Sequence, residues 1–291
     1  MSASRRILSW IQLLRPHQYV KNGLIFVPMV FARRWELWDE TSLGFGLFCM
    51  AASAVYAVND AWDAEADRKH PEKRYRPVAS GMISPLTAYL TALLLLVLSL
   101  SSAFGMQATF GIVLTLYFLN NLAYTFWLKR LALWDVFSIS AGFFMRIYAG
   151  ASIGHIVVSE YLFMAVFFLS LFFALGKRRY ELILQPSEEI ATQSRKSLRG
   201  YSVYYLDQLM SISATLTLVV YVLYIVHGQF TWLLGTLPVV VMGIFRYYYL
   251  THIRNAGEPS RELLTDPMLL GLGGIYAVLT ILEMIKFPWL F

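Results

Sequence analysis

Long apolar stretches separated by short polar segments run along almost the whole chain. A helix needs roughly 20 mostly apolar residues to cross the hydrocarbon core of a bilayer, and nine stretches approach or reach that length. They lie at 22–35, 41–60, 84–104, 108–127, 134–153, 159–176, 204–226, 230–250 and 267–287. The first is the shortest and is interrupted by Pro28. The pattern predicts an all-α polytopic membrane protein with nine transmembrane helices.

The first 21 residues have a different pattern. Arg5 and Arg6 precede only a brief apolar stretch, in which Trp10 and Leu13 are candidate contacts with lipid. No small-residue cleavage site follows, which argues against a cleavable signal peptide. We therefore expect 1–21 to form an interfacial segment on the membrane surface, within a single transmembrane domain over 1–291.

The composition agrees with an apolar environment. Hydrophobic residues make up 58% of the 291 residues and charged residues 14%, and the mean hydropathy is +0.56. Soluble globular chains are only roughly 45–50% apolar, so a soluble domain is excluded. The single cysteine, Cys49, lies in an apolar run. One cysteine cannot form a disulfide framework or a cysteine-rich zinc cluster.

The 24 lysines and arginines are distributed unevenly between the two sides of this topology. Most of them fall in the N-terminal segment or after the second, fourth, sixth and eighth helices, whereas Arg33, Arg34 and Lys286 fall on the other side. Cytoplasmic loops carry the positive excess, so we expect a plasma (inner) membrane protein with its N-terminus and its active site in the cytoplasm. The net charge of +6 then reflects topology and anionic headgroups, not nucleic acid. Basic loops can equally bind phosphorylated substrates.

The segment 59–67 concentrates acidic side chains at the end of the second apolar stretch. Asp60, Asp63 and Asp67 stand at i, i+3 and i+7, so a continuous helix would place them on one face beside Asn59. Such a cluster is costly near a membrane unless a cation neutralises it, and oxygen ligands without His or Cys favour Mg²⁺ completed by substrate phosphates. The segment therefore predicts an Mg²⁺ site for a diphosphate. The alternative is a solvated helix end whose acids are balanced by Arg68, Lys69, Lys73 and Arg74.

The same segment carries the motif NDxxDxxxD, and its neighbours carry further motifs. Residues 15–22 read RPHQYVKN, which looks like an RPxQxxKN element, and 67–77 look like the basic loop after an acidic motif. On these motifs the chain resembles the UbiA superfamily of intramembrane prenyltransferases. The likeness extends to Tyr124, Lys129, Arg130, Asp135 and Arg146. It implies nine transmembrane helices around a central cavity that opens to the cytoplasm, where two acidic motifs bind Mg²⁺ and diphosphate.

One segment departs from the superfamily pattern. Members usually carry a second DxxxD motif after the sixth helix, but residues 176–181 read GKRRYE, so only Glu181 is acidic. The three cations at 177–179 suit extra phosphate groups better than a second metal. This KRxxE variant, with 195–202, resembles the branch that transfers the 5-phosphoribosyl group of phosphoribosyl diphosphate to a polyprenyl phosphate of the decaprenyl type. The resemblance implies release of diphosphate and synthesis of a lipid-linked pentose (arabinose) donor.

The predicted site residues follow from these motifs and their charges. The catalytic candidates are Asp60, Asp63, Lys177 and Arg178. The predicted metal ligands are Asn59, Asp60, Asp63 and Asp67. The substrate-binding candidates are Lys21, Asn22, Arg68, Lys73, Arg74, Tyr124, Lys129, Arg146, Glu181, Arg195 and Lys196. Each lysine or arginine among them can instead be a topology determinant in contact with headgroups.

Arg146 is a separate case because it lies inside a predicted span. An unpaired charge there would cost several kcal/mol, so the guanidinium needs a partner or a wet cavity. Asp135 and Glu181 can supply that partner, and a substrate anion is the other candidate.

Two further functions stay open. One is prenyl transfer from a polyprenyl diphosphate to an aromatic ring, although the second aspartate pair that this reaction requires is missing. The other is ion-coupled transport or lipid binding, which would favour broken helices and polar residues near the bilayer midplane. The sequence leaves the length of the lipid, the number of Mg²⁺ ions and the formation of a homo-oligomer undecided.

Overall fold

The computed structural model describes residues 3–69, 73–184, 196–227, 231–254, 262 and 265–286, and the regular elements within these ranges are all helical. The α-helices are α1 (Ala3–Leu14), α2 (Phe26–Phe31), α3 (Trp38–Trp62), α4 (Ala64–Arg68), α5 (Pro85–Met106), α6 (Ala108–Phe126), α7 (Trp134–Ile153), α8 (Glu160–Ile183), α9 (Val203–His227), α10 (Leu237–Ile253) and α11 (Pro267–Lys286). Short 3-10 helices span Pro16–Ile25, Trp35–Leu37, Lys73–Tyr75, Leu128–Arg130, Lys196–Gly200 and Thr231–Thr236. The predicted all-α class is confirmed.

Within the described ranges, seven helices are long and apolar enough to cross a membrane, namely α3 and each helix from α5 to α10. Helix α11 adds a shorter apolar stretch over Pro267–Leu282. The prediction of a polytopic membrane protein is confirmed on these helices.

The segment predicted as the first span, 22–35, begins earlier and is wound differently. The 3-10 helix Pro16–Ile25 continues directly into α2, Phe26–Phe31. A 3-10 helix rises by about 2.0 Å per residue and an α-helix by about 1.5 Å, so the two together are about 30 Å long, close to the thickness of the hydrocarbon core. With this stretch and α11, the described part of the chain is consistent with the nine predicted helices.

The chain packs as two compact units. Unit 1 comprises residues 1–126 and 142–158, and unit 2 comprises 127–141 and 159–291, so α7 contributes its first part to unit 2 and its second part to unit 1. The single domain over 1–291 stays a prediction.

Unit 1 is built around α3, whose buried face is rich in alanine. The alanines at 51, 52, 54, 57 and 61 are all buried, and α5 and the 3-10 helix Pro16–Ile25 pack closely against this helix. Small residues allow helix backbones to approach one another in a membrane, where packing rather than hydrophobicity holds helices together. α3 is therefore a central, buried helix of its unit.

A second close approach in unit 1 depends on one glycine of α7. A Cβ placed on Gly150 would lie 1.9 Å from the carbonyl oxygen of Ile25. No other residue type fits there, so Gly150 lets α7 pack directly on the backbone of the 3-10 helix Pro16–Ile25.

Unit 2 is centred on α8 and α9, which pack along much of their length. Aromatic rings fill the space toward α10: the rings of Phe173 and Tyr247 are 4.9 Å apart in an edge-to-face arrangement, and those of Phe172 and Tyr248 are 5.1 Å apart. Met210 of α9 is fully buried in the same cluster.

The N-terminal helix α1 has an exposed apolar side. Ile7, Leu8 and Ile11 are exposed, whereas Ser9 and Leu13 are buried, and the helix packs on α3. An exposed apolar side is typical of a helix lying at a membrane surface. The interfacial placement of 1–21 stays a prediction.

Candidate functional site

The acidic segment lies at the end of α3, where the helix is interrupted. α3 ends at Trp62, Asp63 adopts φ −89° and ψ 2°, and α4 begins at Ala64. The amide of Asp67 still donates to the carbonyl oxygen of Asp63 at 2.8 Å. The continuous helix assumed for this segment is thus broken at Asp63.

Two arginines bind the carboxylates at this break. Arg76 Nη1 lies 2.8 Å from Asp67 Oδ2 and 3.4 Å from Asp60 Oδ1, so one guanidinium bridges both acids. Arg15 Nη2 makes a second, short ion pair with Asp60 Oδ1. The structure therefore brings Asp60 and Asp67 together, as predicted, and adds two cations to them. Asp63 is half-buried, and its place in a shared site with the other two acids stays a prediction.

Asp60 nevertheless has one oxygen without a partner. The side chain is 1% exposed, and its Oδ2 atom is buried and makes no hydrogen bond. A buried polar atom without a hydrogen bond is costly and unusual, so it marks a position where a ligand fits. Next to Asp60, the Oδ1 atom of Asn59 accepts a hydrogen bond from Thr125 Oγ1 at 3.4 Å.

This donor set fits Mg²⁺ but not a cage of protein ligands. Within the ranges that the structure describes, no three His, Cys, Asp or Glu side chains are placed to hold a metal ion. Mg²⁺ is usually bound by only one or two carboxylates and is completed by water and substrate phosphates. Asp60 Oδ2 offers one such carboxylate oxygen.

Arg15 and Arg76 were absent from the predicted site residues. Arg15 sits in the left-handed region, with φ 53°, and its guanidinium lies 5.1 Å from the ring of Tyr56. Non-glycine residues rarely adopt this conformation, and they do so most often where surrounding contacts hold them. Both arginines belong to the segments 15–22 and 67–77, so the motif match was a signal that could have identified them.

Further cations follow the acidic segment in unit 1. Lys73 and Arg74 are exposed on the 3-10 turn Lys73–Tyr75, and the Arg74 guanidinium lies 4.8 Å from the Tyr75 ring. Arg68 is exposed and donates from Nε to the carbonyl oxygen of Ala79 at 3.1 Å. Their predicted contacts with substrate stay predictions.

Arg146 is 6% exposed and is surrounded by neutral groups. It donates from Nε to Asn22 Oδ1 at 2.8 Å, from Nη1 to the carbonyl oxygen of Gly142 at 2.7 Å and from Nη2 to the Tyr117 hydroxyl at 3.1 Å. Three aromatic rings lie 4.9–5.5 Å from the guanidinium carbon. Arg146 and Asn22, two predicted substrate contacts, are thus hydrogen-bonded to each other. A third, Lys21, donates from Nζ to Gln18 at 2.6 Å.

In unit 2, the KRxxE segment lies in the last turns of α8. Arg178 is 1% exposed; its Nε lies 2.9 Å from Asp135 Oδ2, and its Nη1 makes a short ion pair with Glu181. The two acids suggested from the sequence as partners for Arg146 are therefore partners of Arg178. Because Glu181 is engaged by Arg178, the single acid of this segment is committed to an ion pair.

The other predicted substrate contacts are divided between the two units. Lys177 and Lys129 of unit 2 are half-buried, Lys196 is exposed, and Arg195 lies outside the described residues. Tyr124 is half-buried in α6 of unit 1. The substrate contacts of all five stay predictions.

A second ionic cluster in unit 2 was not predicted from the sequence. Asp207 Oδ1 lies 2.6 Å from Arg179 Nε and 3.1 Å from His252 Nε2. Arg179 also donates to the carbonyl oxygen of Thr251 at 2.8 Å. These contacts link α8, α9 and α10, whose residues lie far apart in sequence, and no local motif signals them.

Known proteins resemble this chain over most of its length. Residues 23–272 match the profile of the UbiA prenyltransferase family. A protein of Mycolicibacterium smegmatis named decaprenyl-phosphate phosphoribosyltransferase is 35% identical over 278 residues, which cover 89% of this chain and 87% of the relative. A protein of the same name from Corynebacterium glutamicum is 33% identical over 92% of this chain and 85% of the relative.

Solved structures agree at the level of the fold. A UbiA homologue from Archaeoglobus fulgidus bound to GPP and Mg²⁺ has a TM-score of 0.67 and 20% sequence identity, over 95% of this chain and 98% of that chain. The same homologue bound to Cd²⁺ has a TM-score of 0.70 and 19% identity over the same shares of the two chains.

Proposed function

Because the chain belongs to the UbiA prenyltransferase family, we propose that it transfers the 5-phosphoribosyl group of phosphoribosyl diphosphate to a polyprenyl phosphate and releases diphosphate. The observation that carries this proposal is the 35% identity, sustained over 89% of the chain, to a relative named decaprenyl-phosphate phosphoribosyltransferase. The product is a lipid-linked phosphopentose, which suits the synthesis of an arabinose donor.

The acidic cluster of unit 1 is proposed to hold Mg²⁺ together with the diphosphate. Asp60 offers the buried, unpartnered Oδ2, and Asn59, Asp63 and Asp67 are the other proposed ligands. When bound, Mg²⁺ would neutralise charge on the departing diphosphate. The Mg²⁺ in a fold neighbour of this family supports the choice of metal.

The chain's own cations are proposed to position two anions that repel each other. The attacking lipid phosphate is already ionised at neutral pH, so its reaction needs no general base, and catalysis depends on orientation and electrostatic stabilisation. In unit 1, the exposed Arg68, Lys73 and Arg74 are proposed to contact phosphate oxygens. Arg15 and Arg76 hold the carboxylates of Asp60 and Asp67 in place.

In unit 2, lysines are the proposed contacts for the ribose 5-phosphate or the lipid phosphate. Lys177, Lys129 and Lys196 are at least partly exposed, so their ammonium groups can reach an anion. Glu181 is engaged by Arg178, which supports a phosphate-binding rather than a metal-binding role for the KRxxE segment.

The excess of lysine and arginine on one side of the topology supports a plasma-membrane protein with a cytoplasmic N-terminus and active site. A homo-oligomer is compatible with the proposal, which does not depend on it.

A transfer assay on the purified protein in detergent tests the function. The protein is given phosphoribosyl diphosphate labelled in the ribose and a polyprenyl phosphate, with Mg²⁺ or with a chelator. We expect label in the lipid fraction with Mg²⁺ and a large loss of label with the chelator. Equal label in both conditions would contradict the metal site, and no label in either would contradict the proposed transfer.

A further inference from the structure

Asp135 lies at the centre of a buried polar network in unit 2. The side chain is fully buried, and its Oδ1 accepts a hydrogen bond from the Tyr201 hydroxyl at 2.7 Å. Its Oδ2 accepts one from Ser197 Oγ at 3.0 Å and lies 2.9 Å from Arg178 Nε. Both carboxylate oxygens are therefore bound by donors, and Ser197 and Arg178 are each only 1% exposed.

The network fixes a short turn against the start of α7. The Tyr201 hydroxyl also accepts a hydrogen bond at 2.6 Å from the amide of Leu133, which is held in the left-handed region at φ 67°. That conformation is unusual for a bulky residue and persists where surrounding contacts determine it. A Cβ on Gly200 would lie 2.5 Å from the Cβ of Ala132, so glycine allows the turn to press on this loop.

Each segment that the network joins also carries a cation nearer to the surface. Lys196 is exposed at the start of the turn Lys196–Gly200, and Lys177 precedes Arg178 on α8. Lys129 lies on the turn Leu128–Arg130, which packs against the turn Lys196–Gly200. The buried contacts of Asp135 therefore set the spacing between three lysines that belong to different segments.

We propose that Asp135, Arg178, Ser197 and Tyr201 are positioning residues for a phosphate-monoester site of unit 2 formed by Lys129, Lys177 and Lys196. The inference rests on the proposed function, in which the 5-phosphate of phosphoribosyl diphosphate is such a monoester. In this proposal Arg178 orders the site by pairing with Asp135, whereas the sequence predicted that Arg178 contacts the substrate directly. A buried ion pair can often be replaced by apolar residues without loss of stability, so stability alone does not explain this network. A turn that is ordered before the ligand arrives binds it at a lower entropic cost.

The principal test compares Tyr201→Phe with Tyr204→Phe, since Tyr204 is 75% exposed on the same segment. Binding of ribose 5-phosphate without Mg²⁺ is measured by calorimetry, and kcat and KM for phosphoribosyl diphosphate are measured by label transfer. We expect Tyr201→Phe to raise Kd and KM by about 10-fold with kcat nearly unchanged, because it removes ground-state and transition-state binding alike. Tyr204→Phe should match the unsubstituted protein.

Ser197 offers a milder pair that keeps the proposal testable if Tyr201→Phe fails to fold. Ser197→Ala removes one donor to Asp135 and should raise Kd about 3-fold, whereas Ser197→Thr keeps a hydroxyl and should restore binding. Folding is monitored by gel filtration and by Tm in detergent. A lower Tm and kcat with unchanged Kd and KM would mark a purely structural network and overturn the proposal.

The two proposals fail separately. If the unsubstituted protein transfers no phosphoribosyl group but its binding of ribose 5-phosphate weakens on Tyr201→Phe, the positioning role stands and the proposed function falls. If transfer occurs and ribose 5-phosphate does not bind, or binds equally well to the folded Tyr201→Phe and Ser197→Ala variants, the positioning role falls.

Discussion

The two carboxylate oxygens of Asp60 have different surroundings. Its Oδ1 is held by Arg15 and Arg76, while its Oδ2 is buried and has no hydrogen-bond partner. The two guanidinium groups compensate the negative charge of the buried carboxylate, and the remaining oxygen is the atom available to a metal. The arginines therefore do not replace the proposed metal; they orient the carboxylate that would bind it.

Replacing Asp60 by Asn tests this division of roles. Asp60→Asn keeps the size of the side chain but removes the charge, so we expect at least a 100-fold loss of Mg²⁺-dependent transfer, on the order of a lost electrostatic contact to developing charge. Asp39→Asn is the matched control, because Asp39 is an exposed aspartate in the first turn of the same helix. Near-normal turnover by folded Asp60→Asn protein would contradict the metal site.

The sequence marks the acidic residues and the two segments that carry their arginines, but it does not show which side chains pair. Asp60 and Asp67 stand at helical spacing within a motif, and this local signal is sufficient to select them. Arg15 is 45 positions from Asp60, and only the packing of the N-terminal segment on α3 brings it there. The segment 59–67 contains neither Gly nor Pro, so nothing in its sequence signals the interruption at Asp63.

At the scale of elements, polar contacts join the N-terminal segment to the interior face of α3. Besides Arg15 with Asp60, the Tyr19 hydroxyl and Ser53 Oγ are 2.7 Å apart, and Asn22 Nδ2 lies 3.2 Å from Cys49 Sγ. The α3 residues at 49, 53, 56 and 60 recur at helical spacing and form one polar stripe. Apolar periodicity carries no signal for the 3-10 winding of Pro16–Ile25, the stretch that makes the contacts of Tyr19 and Asn22 and the close approach to Gly150.

The close approach at Gly150 gives a direct test of that packing. Gly150→Ala places a methyl group 1.9 Å from the Ile25 carbonyl oxygen, so we expect a loss of about 1–3 kcal/mol in the free energy of unfolding. Gly243→Ala in α10 is the control, since no atom lies within 4 Å of its added Cβ, and it should be neutral or stabilising by up to about 1 kcal/mol. Equal Tm values for the two variants would contradict the contact.

The start of α11 shows a cap whose strength depends on pH. Asp266 precedes Pro267, accepts a hydrogen bond from the Leu269 amide at 3.0 Å and forms a two-point pair with Arg246. The hydrogen bond from Arg246 holds the pKa of Asp266 below its usual range. The ionised carboxylate thus stabilises the folded state above the unfolded pKa, about 3.9, and this stability is lost as pH falls through the lower folded pKa.

We expect Asp266→Asn to lower Tm at pH 7, since Asn can still cap the helix but cannot pair with Arg246. The difference in Tm between the two proteins should shrink as the pH falls below about 4, where Asp266 itself becomes neutral. Thermal unfolding in detergent across this range measures it. A difference that stays constant with pH would show that the charge of Asp266 contributes nothing.

At the scale of the whole molecule, the apolar pattern was the most informative part of the sequence. It located most of the spanning helices within a few residues, because a helix buried in lipid requires a long apolar run. The exceptions are the first stretch, which begins at Pro16 and not at 22, and α8, which continues to Ile183 and not to 176. The hydrophobic pattern did not predict the two compact units or the ion pairs within unit 2. The sequence marks Asp135 and Arg178 without pairing them, and Asp207 looks like an ordinary helix charge until the fold places it beside Arg179.

Membership of the family does not by itself define the donor substrate of this chain. A prenyl-transferring member would take a polyprenyl diphosphate, whereas the proposed function requires phosphoribosyl diphosphate. The KRxxE segment, in which Glu181 pairs with Arg178, is the feature that we propose separates the two.

A competition assay measures that choice most directly. The purified protein receives, in one Mg²⁺-containing reaction, phosphoribosyl diphosphate with a polyprenyl phosphate and a polyprenyl diphosphate with 4-hydroxybenzoate, and the lipid products are identified by mass. We predict polyprenyl-phosphoryl-5-phosphoribose as the dominant product, together with released diphosphate. Prenylated 4-hydroxybenzoate as the dominant product would contradict the proposed function.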